Sequence, residues 1–317
     1  MSSPPAKRKR QKTEDATMKR SDKFWFTDGS VVLQAGSTQF RVHFGVLARH
    51  SAIFSDMLGL PQPSDEPNVD GCPVIQLSDD STDLEYFLKA LYDPAFLTIK
   101  AMPFPAVAAL IRLGRKYEFR DFLNLAVARI TSEFPTTLEE FDALPPYFTT
   151  ITDYPGLGFD IVALADENNI ASVLPGVYLY VVDGLLDELF GSIKKDDGTM
   201  AALSPIHLRR CAVGREKLLL KQLQPGYTLG WTLDAVTVDG CTGRSKCRKA
   251  RQMFMRQCLD GSRIWAFMRI DCLKNCELCT VCHDHAMEAA NGGRIKMWEE
   301  LPQIFNLPPW DELTNDI

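Results

Sequence analysis

The stretch "TQFRVHFGVLARHSAIFSDML", residues 38–58, carries two of the five histidines of the chain, His43 and His50. Its apolar spacing changes partway. Phe40 and Val42 alternate with Gln39, Arg41 and His43, the period of a half-buried strand. From Val46 onward the spacing becomes helical, and Ser51 can cap a helix that buries Ile53, Phe54, Met57 and Leu58. The strand-to-helix change at His43 decides what this region is.

Upstream, "VVLQAG" and "TQFRVH" flank Gly36-Ser37, which reads as a β-hairpin. Downstream, residues 61–73 are rich in Pro, Asp and Gly and read as a long exposed loop. "CPVIQL" then reads as a short strand. Thr82 and Glu85 form a capping box ahead of a helix with Leu84, Phe87, Leu88 and Leu91 on one face. A second helix carries Val107, Leu110, Ile111 and Gly114. A third carries Phe119, Phe122, Leu123, Ala126, Val127 and Ile130, and closes before Pro135. The order is a small sheet followed by helices, an α+β unit over residues 23–135.

In its order of elements and in Phe40, His43, Val46, Leu47, Ser51, Phe54 and Met57, this unit resembles the BTB/POZ domain. The chain as a whole resembles a fungal group of BTB proteins with a cysteine-bearing C-terminal region and an ending like "MWEELPQIFNLPPWDEL". The resemblance implies protein–protein association: homodimers, heterodimers, or docking to a cullin-type ubiquitin-ligase scaffold or a corepressor. It places an interaction surface at Phe24, Phe26 and Phe44. Many dimeric members have a charged pair where this chain aligns Ser30 and Phe44, so the corepressor-type pocket is not expected here. His43 and His50 are read as scaffold, since no Ser or Cys nucleophile stands beside them.

The net charge of −6 is unevenly spread. Residues 1–22 hold seven Lys/Arg against three acids, 23–240 hold 17 against 28, 241–296 hold 11 against five, and 297–317 hold none against five. The expected segments are a disordered basic tail (1–22), the BTB/POZ-like domain (23–135), a helical region (136–240) and a Cys-rich C-terminal module (241–317). In the tail, Lys7, Arg8, Lys9 and Arg10 resemble a nuclear-import signal. The tail lacks the apolar core of a secretory signal, and no apolar run reaches the ~20 residues of a membrane helix. An intracellular chain is expected, nuclear if "KRKR" is read and otherwise cytoplasmic, with its nine cysteines as thiols or metal ligands.

The helical region shows a second capping box, Thr137 and Glu140. "DIVALADENN" reads as a short helix, "VYLYVVDGLLDELF" as one longer helix, and Ser204-Pro205 as the start of another. In the C-terminal module, Cys279-x-x-Cys282 supplies two zinc ligands from one turn, with Cys241 and Cys247 as the second pair. Cys276 and His283 are substitutes. The alternative is a thiol-lined helix, because Trp265, Met268, Cys272, Cys276, Cys279 and His283 also fall near one helical face. A structural Zn²⁺ is the expected cofactor if there is one.

"RSKCRKARQMFMR" packs six basic residues without an acid. It reads as a solvated face, or one pairing with the acidic body, ahead of a nucleic-acid surface. The apolar ending, with Trp298, Leu301, Ile304, Phe305 and Trp310, must be covered by the rest of the chain. No phosphate loop, dinucleotide fingerprint or nucleophile elbow is present, so a non-enzymatic protein with protein partners is expected.

Overall fold

The structure is a computed structural model. It describes residues 18–59, 67–233, 238–259 and 263–317. "KRKR" and positions 61–66 lie outside the described residues. The chain divides into two compact units, one of residues 1–98 and 112–122, the other of 99–111 and 123–317. The division passes within two helices, α5 (Phe104–Lys116) and α6 (Arg120–Glu133).

The first unit is built on a five-stranded sheet. Its strands are β1 (Lys19–Trp25), β2 (Val31–Ala35), β3 (Thr38–Val42), β4 (Asn68–Val69) and β5 (Cys72–Leu77), in the spatial order β1-β3-β2-β5-β4. β2 and β3 form the expected antiparallel hairpin, with Ala35 opposite Thr38. Gly36 sits at φ 56° in the two-residue loop, the left-handed position that glycine takes first in a type II′ turn. β2 also runs parallel to β5.

Three expectations change here. β1 begins at Lys19, within the stretch read as tail, and pairs in parallel with β3. Its charged residues find partners: Arg20 pairs with Asp70 at 2.9 Å and lies over the Trp25 ring. The stretch read as a loop up to residue 73 contains β4, turned back onto β5 through Asp70 and Gly71, both at positive φ. An Asp-Gly pair favours such a turn. Gln39 is buried in spite of its polarity, because its side-chain amide donates to Gln34 Oε1 at 3.0 Å.

After β3 come α1 (Phe44–His50) and α2 (Ala52–Leu58). Ser51 ends one and caps the other: its Oγ accepts from the Phe54 N–H at 3.0 Å and donates to the Tyr117 carbonyl at 2.5 Å. Phe54 is buried against Tyr117 and Phe119. The next helix, α3 (Ser81–Tyr92), is capped two residues before the Thr82 of the expected box. Asp80 is its cap, accepting from the N–H groups of Thr82 and Asp83. Glu85 instead pairs with Lys23 at 2.5 Å. The short α4 (Pro94–Leu97) follows.

The second unit is mainly helical. α7 (Leu138–Ala143) opens on the Thr137/Glu140 box: Thr137 Oγ1 accepts from the Glu140 N–H at 3.3 Å and donates to Glu140 Oε2 at 2.8 Å. α8 (Leu157–Glu167) precedes α9 (Leu174–Asp183) and α10 (Leu186–Phe190). The last two replace the single longer helix expected from "VYLYVVDGLLDELF". Gly184 is extended there and breaks the ladder. A small ribbon, β6 (Ile193–Lys194) with β7 (Met200–Ala201), leads to α11 (Pro205–Lys221), which starts at Pro205 as expected. The module's helices are α12 (Arg244–Leu259), α13 (Thr280–Glu299) and α14 (Leu301–Ile304).

The apolar ending is covered. Phe305 is buried against Tyr178 of α9, with ring centroids 5.3 Å apart. Trp298 stacks on Trp310 and donates to the Thr136 carbonyl at 2.9 Å. Among the described residues, no helix is long and apolar enough to cross a membrane.

Candidate metal centre

α12 and α13 each start beside two cysteines. Cys241 precedes α12 and Cys247 lies in its early part. Cys279 is the N-terminal cap of α13, and Cys282 lies in its first turn. The Sγ atoms of these four residues all lie within 4.8 Å of one another. Among the described residues this is the one group of three or more metal-ligating side chains so arranged. A tetrahedral Zn–S site with ~2.3 Å bonds has sulfurs about 3.8 Å apart. The Cys279 and Cys241 sulfurs are 3.9 Å apart, a fit to that edge and far beyond a disulfide bond.

The backbone prepares these sulfurs. The Cys279 N–H donates to Cys247 Sγ at 3.2 Å. The Cys279 thiol is itself held low, at about 5, first by the backbone N–H of Cys282 and then by that of Thr242. Hydrogen bonds to a thiolate favour the charged form. Cys282 is pushed the other way, chiefly by burial. Four crowded thiols cannot all ionise unaided, because like charges at this range repel. A divalent cation among them removes that conflict and fills a closed, all-protein ligand set of the structural type.

Four of the remaining five cysteines serve as apolar side chains. Cys258 and Cys276 pack in a cluster with Leu229, Trp231, Phe254, Leu273 and Ala286. Burial pushes the Cys258 thiol up to about 12. Cys72 packs with Val32 and Val74, and Cys211 is fully buried. Cys272 is exposed. The substitute ligands are therefore not brought in: Cys276 is in this core, and His283 has its Nδ1 3.6 Å from Asp284. Nor does a single thiol-lined helix form. Residues 270–275 make a 3-10 turn, Cys276 is extended, and α13 begins only at Thr280.

No protein-family model matches the chain, and no curated protein matches it significantly.

The residues expected at an interaction surface are placed differently from one another. Phe24 is buried. Phe26 is half-buried, its ring 4.8 Å from that of Tyr92 and 5.1 Å from that of His43. Phe44 is half-buried with its ring edge-on to Phe54. His43 is a corner residue. Its N–H donates to Tyr92 Oη at 3.0 Å, its Nδ1 lies 3.2 Å from the same oxygen, and its Nε2 lies 3.3 Å from Asp28. His50 is exposed.

Sequence spacing alone missed what surrounds the thiols. Trp231 and His285 line a cavity of about 330 Å³ that also reaches Cys241, Cys247 and Cys282. Trp231 stands ten positions before the first ligand, and His285 three positions after the last, on the same face of α13. Only the packing of α12 against its neighbours brings them together.

Proposed function

We propose that this protein is a non-enzymatic association protein. Its BTB/POZ-like N-terminal unit supplies a self-association or partner-docking surface, and a structural zinc holds the C-terminal module. The observation that carries the zinc is the four-sulfur cluster within 4.8 Å. Cysteines drawn from two separate stretches meet there, and backbone N–H groups hold the Cys279 thiol towards thiolate. The BTB-like reading is supported by the succession of hairpin, helix pair, parallel strand and helix, and by Ser51 joining the helix pair. Partner choice then follows from an apolar patch with a charged rim.

Native mass spectrometry of the purified chain tests both halves in one run. The expected result is one zinc per chain and a dimer. Protein purified without chelator and free of metal overturns the zinc. A monomer at all concentrations overturns self-association and leaves docking to a different protein, a cullin scaffold included.

A further inference from the structure

The cavity beside the thiols has an unusual charge. Arg244, Arg248 and Arg251 all line it from α12. They are spaced four and three apart, so they share one helical face. The sequence of α12 contains no acid at all. Among the described residues none of the three arginines has a hydrogen-bond or ion-pair partner, whereas neighbouring Lys246 has Glu277 at 3.6 Å. Arg251 is half-buried, while Arg244 and Arg248 are exposed.

A second observation points the same way. Trp231, 4% exposed, lines the same cavity, and its indole N–H is buried with no acceptor among the described residues. Buried donors are normally satisfied, so this one calls for an acceptor. One face of its ring is already covered by Phe254, with centroids 5.6 Å apart. His285 adds a further ring nitrogen to the wall. The three guanidinium groups and the indole N–H can only donate.

We propose that this cavity binds a small phosphorylated ligand. Guanidinium groups match phosphoryl oxygens with paired N–H donors. The volume is that of a small-ligand site. The metal centre does not account for the arginines by itself. Four thiolates around one divalent cation leave two negative charges, and three guanidinium groups exceed that by one. Lys249 stands on the same acid-free helix, exposed. A cavity of about 330 Å³ favours a compact ligand over a nucleic-acid strand, which would need a long basic track with stacking platforms. The inference rests on the metal reading only in that a bound ion would fix the cavity wall.

The test is calorimetric titration of the full, metal-loaded chain with inorganic pyrophosphate at ~0.15 M salt. Metal content is measured before and after. Saturable binding of one equivalent with metal retained is expected. Arg248→Ala and Arg251→Ala should each weaken it by about tenfold to a hundredfold, the loss of one charged hydrogen-bonding group, with metal content unchanged. No saturable binding, binding by both variants as tight as by the unsubstituted chain, or extraction of the metal by pyrophosphate overturns the proposal. So does binding of oligothymidylate with steep salt dependence that pyrophosphate does not displace, which would mark an extended nucleic-acid surface instead. A chain that carries no metal when purified without chelator, yet binds pyrophosphate through Arg251, overturns the zinc and leaves this site standing.

Discussion

The backbone N–H of Cys279 donates to Cys247 Sγ at 3.2 Å, so the cap of α13 and the early part of α12 share one sulfur. Two helix starts that are distant in sequence are thereby tied before any metal is considered. The geometry assigns unequal roles to chemically identical side chains. Four cysteines converge, while Cys258 and Cys276 pack in the apolar cluster and Cys272 is exposed.

That division predicts the outcome of a cysteine scan. Serine at 241, 247, 279 or 282 should abolish the tetrahedral tetrathiolate absorption of the cobalt-substituted protein and expose the ends of α12 and α13 to proteolysis. Cys272→Ser and Cys276→Ala should keep both the spectrum and the metal. Since structural zinc contributes ~10–16 kcal/mol in small metal-dependent folds, loss of one ligand should be visible as local unfolding. Retention of the spectrum in Cys247→Ser would refute the ligand set.

The pair Gly292 and Gly293 in α13 should respond in opposite directions to alanine. A Cβ on Gly293 would lie 2.3 Å from the backbone of Tyr227 and Thr228, which cannot yield as a side-chain tip does. A Cβ on Gly292 meets nothing within 4 Å. Gly293→Ala should therefore cost about 1–3 kcal/mol by overpacking. Gly292→Ala should gain about 0.5–1 kcal/mol through helix propensity. Chemical denaturation of both variants checks this, and equal effects would mean that the approach of residues 227–228 to α13 is misplaced.

Local signals were readable where a local interaction decides the structure. The Gly36-Ser37 hairpin, the Ser51 cap and the Thr137 cap each rest on bonds within a few residues, and each formed; α11 starts at Pro205, though the Ser204 side chain makes no capping bond. The four converging cysteines were legible because a turn with Cys-x-x-Cys spacing leaves little freedom in how its sulfurs point. What failed was decided by distant partners. Glu85 pairs with Lys23, distant in sequence, and Asp80 caps α3 in place of Thr82. β1 was hidden because its charged residues looked like tail until Asp70 and Trp25 were seen beside Arg20. The break at Gly184 lay inside an apolar run that spacing alone could not divide.

Acid should weaken the second unit through His207. Its ring is buried, with Nδ1 2.7 Å from Tyr178 Oη and Nε2 3.4 Å from Asp166. Burial, the main cause, lowers its pKa from 6.5, with Arg210 acting in the same direction and Asp166 opposing. The unfolded chain then takes up the proton first. This contribution to stability is full above the ordinary imidazole value and is lost as pH falls through it towards the lowered one. The denaturation midpoint should drop between about pH 7 and 5, and His207→Gln should flatten that slope. An unchanged slope in the variant would assign the acid limb to other groups.

The junction between α1 and α2 is held by the serine that follows His50. Ser51 Oγ is buried between a backbone donor, Phe54 N–H, and a backbone acceptor, the Tyr117 carbonyl. Alanine removes both bonds at once and leaves an orphaned N–H and C=O, a loss of about 1–3 kcal/mol. His50, exposed on the last turn of α1, makes no hydrogen bond or ion pair among the described residues, and His50→Ala should change stability by under ~0.5 kcal/mol. Thermal melts of Ser51→Ala and His50→Ala side by side measure the difference. Metal content should be the same in both, since all four thiols belong to the other unit. A large loss from His50→Ala, or none from Ser51→Ala, would show that this corner is held by something other than the serine.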